Sequence, residues 1–184
     1  MNRAQLWRVG QYANQSEDLN NSLYRWQGSD KLMKPTVESM LGMDMNLILK
    51  HDDKIAFPEF ADDVANIVIA FRTAPTLPQD MVLWRAMSRT DNFPTPDTSL
   101  WMSTSATMEG AENWAKANLT NGECNIFKLI VKSNNIKALA VGGTNDDDLD
   151  NEEEILILFN FELISILDEN PTLHGNPIKV FHVA

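Results

Sequence analysis

Three groups of residues in this chain have types and spacings suited to chemistry. Arg85 follows the apolar run Met81-Val82-Leu83-Trp84. A guanidinium leaving a strand can grip a phosphate through two parallel hydrogen bonds, which a lysine cannot do; it can equally serve as a surface ion-pair partner. Ser103-Thr104-Ser105 follows Leu100-Trp101-Met102. Its hydroxyls can orient a carboxylate and line a pocket for a flat ring, or simply bond to nearby backbone at a strand end. The third group is Glu152-Glu153-Glu154, running into Ile155-Leu156-Ile157-Leu158. In a strand, alternate side chains share a face, which places Glu152 with Glu154 and turns Glu153 away. Glu154 abuts the apolar run, so burial would make its charge felt in a lowered dielectric. The plainer alternative is an acidic loop that guards a strand against aggregation.

The elements that must position these residues can be read from periodicity. Lys34–His51 carries Val37, Met40, Leu41, Met45, Leu47, Ile48 and Leu49 behind Pro35, which suits a first helical turn. Phe60–Arg72 places Val64, Ile67, Val68 and Phe71 on one helix face. Pro75 and Pro78 close that helix and predict an extended linker. Strands are expected at Met81–Arg85, Leu100–Ser105, Ile126–Val131, Ile155–Phe159, Leu163–Leu167 and Ile178–Val183, with a helix over about Met108 to Asn118. Helices early and strands late argue for α+β rather than alternating β/α.

Composition narrows the function classes. The 184 residues suit one domain with a real core. A net charge of −11, from 26 acidic and 15 basic residues, repels nucleic acid and anionic membrane and attracts basic partners; it also serves solubility alone. The single cysteine, Cys124, cannot form an internal disulfide and is expected to pack near a strand start. His51, His174 and His182 lack metal-ligand spacing, so no metal is expected. The amino terminus lacks a signal-peptide apolar stretch and no run reaches membrane-spanning length, so the expected location is the cytoplasm of the producing, infected or target cell.

Taken in order, Val82-Leu83-Trp84-Arg85, Met102-Ser103-Thr104-Ser105 and Glu152-Glu153-Glu154-Ile155-Leu156 resemble the arginine–serine–glutamate class of mono-ADP-ribosyltransferases. That group includes clostridial-type toxins, vertebrate ecto-enzymes and phage-encoded transferases. The separations, 18 residues from 85 to 103 and 51 from 103 to 154, suit the class. The resemblance covers about residues 60–167 well and the amino-terminal part loosely. Ala86 follows the arginine where the family often has glycine, a change that leaves the arginine's role intact. The diphtheria-like branch uses histidine and tyrosine in its pocket; here Tyr12 and Tyr24 both precede Arg85, which disfavours it.

The resemblance implies one ADP-ribosyltransferase domain over 1–184, mainly helical over about 1–75 and mainly β over 80–184. It also implies a core of two packed β-sheets with NAD in the cleft between them. Arg85 would hold the NAD phosphates, and Ser103 would orient Glu154 and meet the nicotinamide side of the pocket. Thr104 and Ser105 would support the strand and line the NAD site. Glu154 would stabilise the oxocarbenium-like ribose, and Glu152 would orient and deprotonate the acceptor, with glutamate there favouring arginine. The preceding loop, with Asp146, Asp147, Asp148 and Asp150, would recognise a basic patch on the protein substrate, such as a host transcription or translation component; a solvated flexible loop is the alternative. Two other functions stay open: an NAD glycohydrolase, and a non-catalytic acidic protein that binds a basic partner.

Overall fold

The computed structural model describes residues 1–27, 60–89, 101–142, 153–158, 162–166, 172–173 and 175–184. Four α-helices are described. Helix α1 (Arg3–Tyr12) starts in a reciprocal capping box: the Asn2 side chain accepts from the Gln5 backbone N–H, and the Gln5 side chain accepts from that of Asn2. Residues 17–27 form α2. Helix α3 (Ala61–Thr73) buries Val64, Ile67, Val68 and Phe71, the face expected from their spacing. Helix α4 (Met108–Asn118) is capped by Thr107, whose Oγ1 accepts from Gly110 N at 3.0 Å. The helix expected at Lys34–His51 lies outside the described residues.

The strands are β1 (Val82–Ser88), β2 (Trp101–Ser105), β3 (Cys124–Val131), β4 (Ala138–Ala140), β5 (Glu154–Leu158), β6 (Leu163–Ile166), β7 (Thr172–Leu173) and β8 (Asn176–Val183). They pair in the order β4-β5-β2-β1-β3-β8-β6, with β7 against β8. The pairs are antiparallel except β3 with β8, which is parallel. The sheet is far from uniform. Strands β1 and β3 pair through every residue from Val82 to Ser88, and β2 and β5 through every residue of both strands. By contrast β1 and β2 register at one pair, Trp84 with Ser105. The two packed sheets that the resemblance implies correspond to two halves of one continuous sheet, β4-β5-β2 and β1-β3-β8-β6, joined at a narrow seam.

Both halves contribute to one apolar core: Met102, Ala138, Ile155 and Ile157 from the first, and Leu83, Phe127, Leu129, Phe181 and Val183 from the second. On its other face the first half-sheet is covered by α2 and α3, where Trp101 packs against Trp26 and Phe71 with ring centroids 4.8 and 5.3 Å away. These helices are pinned together by a buried carboxylate. Asp63 accepts from Ser22 at 3.0 Å and from Arg25 at 2.9 Å, so its charge is not left unpaired. The outer face of the second half-sheet takes α4, through Ala111 and Ala115 against Ala86, Cys124 and Ile126. Cys124 opens β3 and is fully buried, as expected, and burial together with the nearby Glu112 pushes its thiol above the ordinary value.

The strand β4 lies at an edge, and the amino-terminal segment covers it. Gln15 donates to the Ala140 carbonyl at 2.9 Å and accepts from its N–H at 3.0 Å. That pairing satisfies backbone groups which an open edge would offer to other chains. The linker after α3 is extended, as Pro75 and Pro78 predict, and it hydrogen-bonds to residues 136–138.

Candidate active site

Arg85, Ser103 and Glu154, singled out in the sequence, meet at the seam between β1 and β2. Ser103 and Ser105 are on β2, and Glu154 begins β5 directly opposite Ser105. Ser103 is therefore the diagonal neighbour of Glu154 on one face of the ladder, close enough for side chains to meet. Its Oγ donates to Glu154 Oε1 at 2.5 Å. Glu154 is 5 % exposed, so this is a buried carboxylate held by a hydroxyl. Arg85, half-buried on β1, reaches across the seam and donates from Nη1 to the Ser103 carbonyl. Ser103 thus touches both of the other two residues, one through its backbone and one through its side chain.

Thr104 and Ser105 have supporting positions. Thr104 Oγ1 donates to the Ile155 carbonyl at 2.7 Å, tying β2 to β5 next to Glu154. Ser105 Oγ accepts from Thr107 N at 3.2 Å and shapes the turn into α4. Glu152, Asp146, Asp147, Asp148 and Asp150 lie outside the described residues. The uniform strand expected over Glu152–Glu154 is corrected at its middle residue. Glu153 has φ of 47°, in the left-handed region, so regular strand alternation starts only at Glu154. A non-glycine residue held there costs about 1–3 kcal/mol, which neighbouring contacts must offset.

Those contacts are present. The Glu153 carboxylate accepts from Gln5 Nε2 at 2.6 Å and from Thr107 Oγ1, and its carbonyl accepts from Ala106 N at 2.9 Å. Sequence inspection passes over Gln5 and only turns Glu153 away from its neighbours, because partners 148 residues apart leave no local pattern. It also passes over Asn125. This residue lies on the same face of β1-β3 as Arg85, is 1 % exposed, and has an amide nitrogen with no hydrogen-bond partner among the described residues. An asparagine inside an apolar strand is the available signal, since buried polar groups are normally paired.

Comparison with solved structures matches this architecture over 98 % of the chain. An ADP-ribosyltransferase from Clostridium botulinum superposes with a TM-score of 0.59 at 13 % identity, covering 94 % of that protein. A protein from S. aureus, solved with NAD, gives 0.59 at 12 % identity and 94 % coverage. The Vis ADP-ribosyltransferase in complex with agmatine gives 0.55 at 11 % identity and 82 % coverage. The fold is that of the ADP-ribosyltransferases. No family sequence model matches the chain, and no curated protein sequence matches it. Within the ADP-ribosyltransferase fold, Arg85, Ser103 and Glu154 occupy the seam between the two half-sheets. Among the described residues no group of three His, Cys, Asp or Glu side chains is placed to hold a metal ion, and no helix is long and apolar enough to cross a membrane.

Proposed function

We propose that this protein is an NAD-dependent mono-ADP-ribosyltransferase that transfers ADP-ribose to a protein side chain, with arginine as the acceptor. The observation that carries the proposal is the buried Glu154 carboxylate, fixed by the Ser103 hydroxyl at 2.5 Å beside a seam-spanning Arg85. A preorganised buried carboxylate is suited to a centre that becomes positive during reaction. Loss of nicotinamide takes the bonding electron pair with the ring and leaves an oxocarbenium-like ribose, as in glycoside cleavage. Glu154 would face that centre, while Arg85 would hold the diphosphate, and Ser103, Thr104 and Ser105 would shape the nicotinamide pocket. Nicotinamide leaves neutral, so the step needs no strong acid. The acceptor nitrogen then bonds to the ribose carbon and gives up its proton, with Glu152 as the base.

NAD as co-substrate is supported by the likeness to the S. aureus structure solved with NAD. Arginine is supported by Glu152 at the first position of the Glu-X-Glu series, and by the likeness to Vis, which was solved with agmatine, itself a guanidine. The aspartates at 146, 147, 148 and 150 would draw a basic patch of the substrate protein toward the site. We extend the proposal to a phage- or toxin-type enzyme acting on host proteins in the cytoplasm, an extension supported by the family resemblance alone.

The test is incubation with labelled NAD and either agmatine or a cell lysate, comparing the native protein with Glu154→Gln. Native protein should label the acceptor, and Glu154→Gln should lose roughly two to three orders of magnitude in rate, the scale of losing one electrostatic contact at a charge-developing centre. Free ADP-ribose without labelled acceptor would mean a glycohydrolase. No NAD turnover at all would leave the acidic binding protein.

A further inference from the structure

Resting on that proposed activity, we infer that α1 belongs to the transfer machinery: its polar stripe Asn2, Gln5 and Arg8 is a positioning device for Glu154. These residues recur every three positions, from the cap Asn2 through the first two turns, and each grips backbone or side chain beside the glutamate. Asn2 Nδ2 donates to the Ala106 carbonyl at 2.9 Å, and the Ala106 N–H in turn donates to the Glu153 carbonyl at 2.9 Å. Gln5 Nε2 reaches the Glu153 carboxylate itself at 2.6 Å. Arg8 Nε donates to the Val141 carbonyl at 2.8 Å, and the Val141 N–H donates to the Glu154 carbonyl at 3.0 Å. One short helix therefore fixes both backbone neighbours of the Glu153–Glu154 step and the side chain between them.

The arrangement matters because of the conformation it holds. Glu153 sits at φ 47°, which an unrestrained glutamate rarely adopts. Its carboxylate is caught between Gln5 of α1 and Thr107, the cap of α4. Thr107 also receives Gly110 N, and Gln5 also closes the cap of α1, so both anchors are themselves held. Arg8 is 7 % exposed and lies beneath the helix rather than on its surface. If Gln5 lets go, Glu153 can relax toward ordinary backbone angles, and Glu154 turns with it relative to Ser103. A carboxylate displaced by about 1 Å from the reacting centre can cost on the order of a hundredfold in rate.

The experiment measures kcat and the KM for NAD, in NAD hydrolysis and in transfer to agmatine, for native protein and for Gln5→Ala, Glu153→Gly, Glu153→Ala and Glu153→Gln. Melting curves are recorded alongside. Gln5→Ala, Glu153→Gly and Glu153→Ala should lower kcat roughly ten- to a hundredfold while KM for NAD stays within about twofold. Glu153→Gln should recover most of kcat, since its amide can still accept from Gln5 and donate to the Thr107 oxygen. Glycine is strain-free at this φ, so Glu153→Gly keeps the fold while removing the tether. Undiminished kcat in Gln5→Ala and Glu153→Gly, with an active native enzyme, would overturn the positioning role and leave the proposed activity standing. Native protein inert toward NAD would instead overturn the proposed activity, and this inference with it.

Discussion

The two half-sheets differ in how they are built, and the candidate site falls where the difference is greatest. The half formed by β4, β5 and β2 is short, covered on both faces, and carries Ser103 and Glu154. In the half formed by β1, β3, β8 and β6, the strands β1, β3 and β8 are longer and have long uninterrupted registers, and this half contributes Arg85 and Asn125. Its outer face is partly open, with Lys128 stacked over Trp84 at 5.8 Å. At the seam the backbone ladder lapses to a single pair, and side chains take over the connection. Backbone pairing builds a wall on each side, and where it lapses the side chains of Arg85, Ser103 and Glu154 meet.

That division predicts different consequences for removing equivalent core bulk from the two halves. Phe71→Ala strips the brace from Trp101, two residues before Ser103 on the same strand face. Phe181→Ala opens a similar cavity on the strand β8 of the other half, against Phe127 in the core between the halves. Both side chains are 2 % exposed, so each substitution should destabilise by about 3–5 kcal/mol in denaturant unfolding. Measured well below the melting temperature, Phe71→Ala should also lower kcat, whereas Phe181→Ala should leave it near native. Equal kcat in the two variants would break the comparison.

The seam itself is probed by a smaller change. Arg85→Lys keeps the charge but removes the planar fork that can bridge from Ser103 to a phosphate. The expected loss is roughly 10- to 30-fold in kcat/KM for NAD, the scale of one hydrogen bond to a charged group at about 1.5–2 kcal/mol. It should arise mainly as a rise in KM, because a diphosphate held by Arg85, as proposed, would be bound in the ground state as well. A fall confined to kcat would place Arg85 at the reacting centre instead.

What is legible in the sequence divides along the same lines. The strands at Ile126–Val131 and Ile155–Phe159 and the α3 face stand out because their apolar periodicity is local and strong. The Arg85, Ser103 and Glu154 grouping is readable because each residue sits at the edge of such a run. Helix α1 escapes notice, since its inner face mixes Ala4 and Trp7 with polar Arg8, and the stripe Asn2-Gln5-Arg8 looks like ordinary surface until its distant partners are known. Strand β4 is three residues long and too short to show alternation. The seam is invisible as well, because register between β1 and β2 depends on the whole sheet and not on either segment.

The weakest expected effect concerns a contact at the entry to β1, in the β1-β3-β8-β6 half. Asp80 has φ of 61° and is paired with Lys132, whose Nζ lies 2.5 Å from its carboxylate. The hydrogen bond from Lys132, then its charge, hold the Asp80 carboxyl below its ordinary value of 3.8. A carboxyl whose folded value is depressed contributes stability above the unfolded value and loses it as pH falls through the folded one. The pair is solvent-exposed and salt-screened, so the contribution is small. Asp80→Asn should therefore unfold at slightly lower urea than native protein at neutral pH, and the gap should close as pH falls below 3.8. It should also narrow with added salt. Because the contact sits outside the seam, NAD turnover by Asp80→Asn should match native. A measurable drop there would mean that strain at the start of β1 reaches Arg85 along the strand.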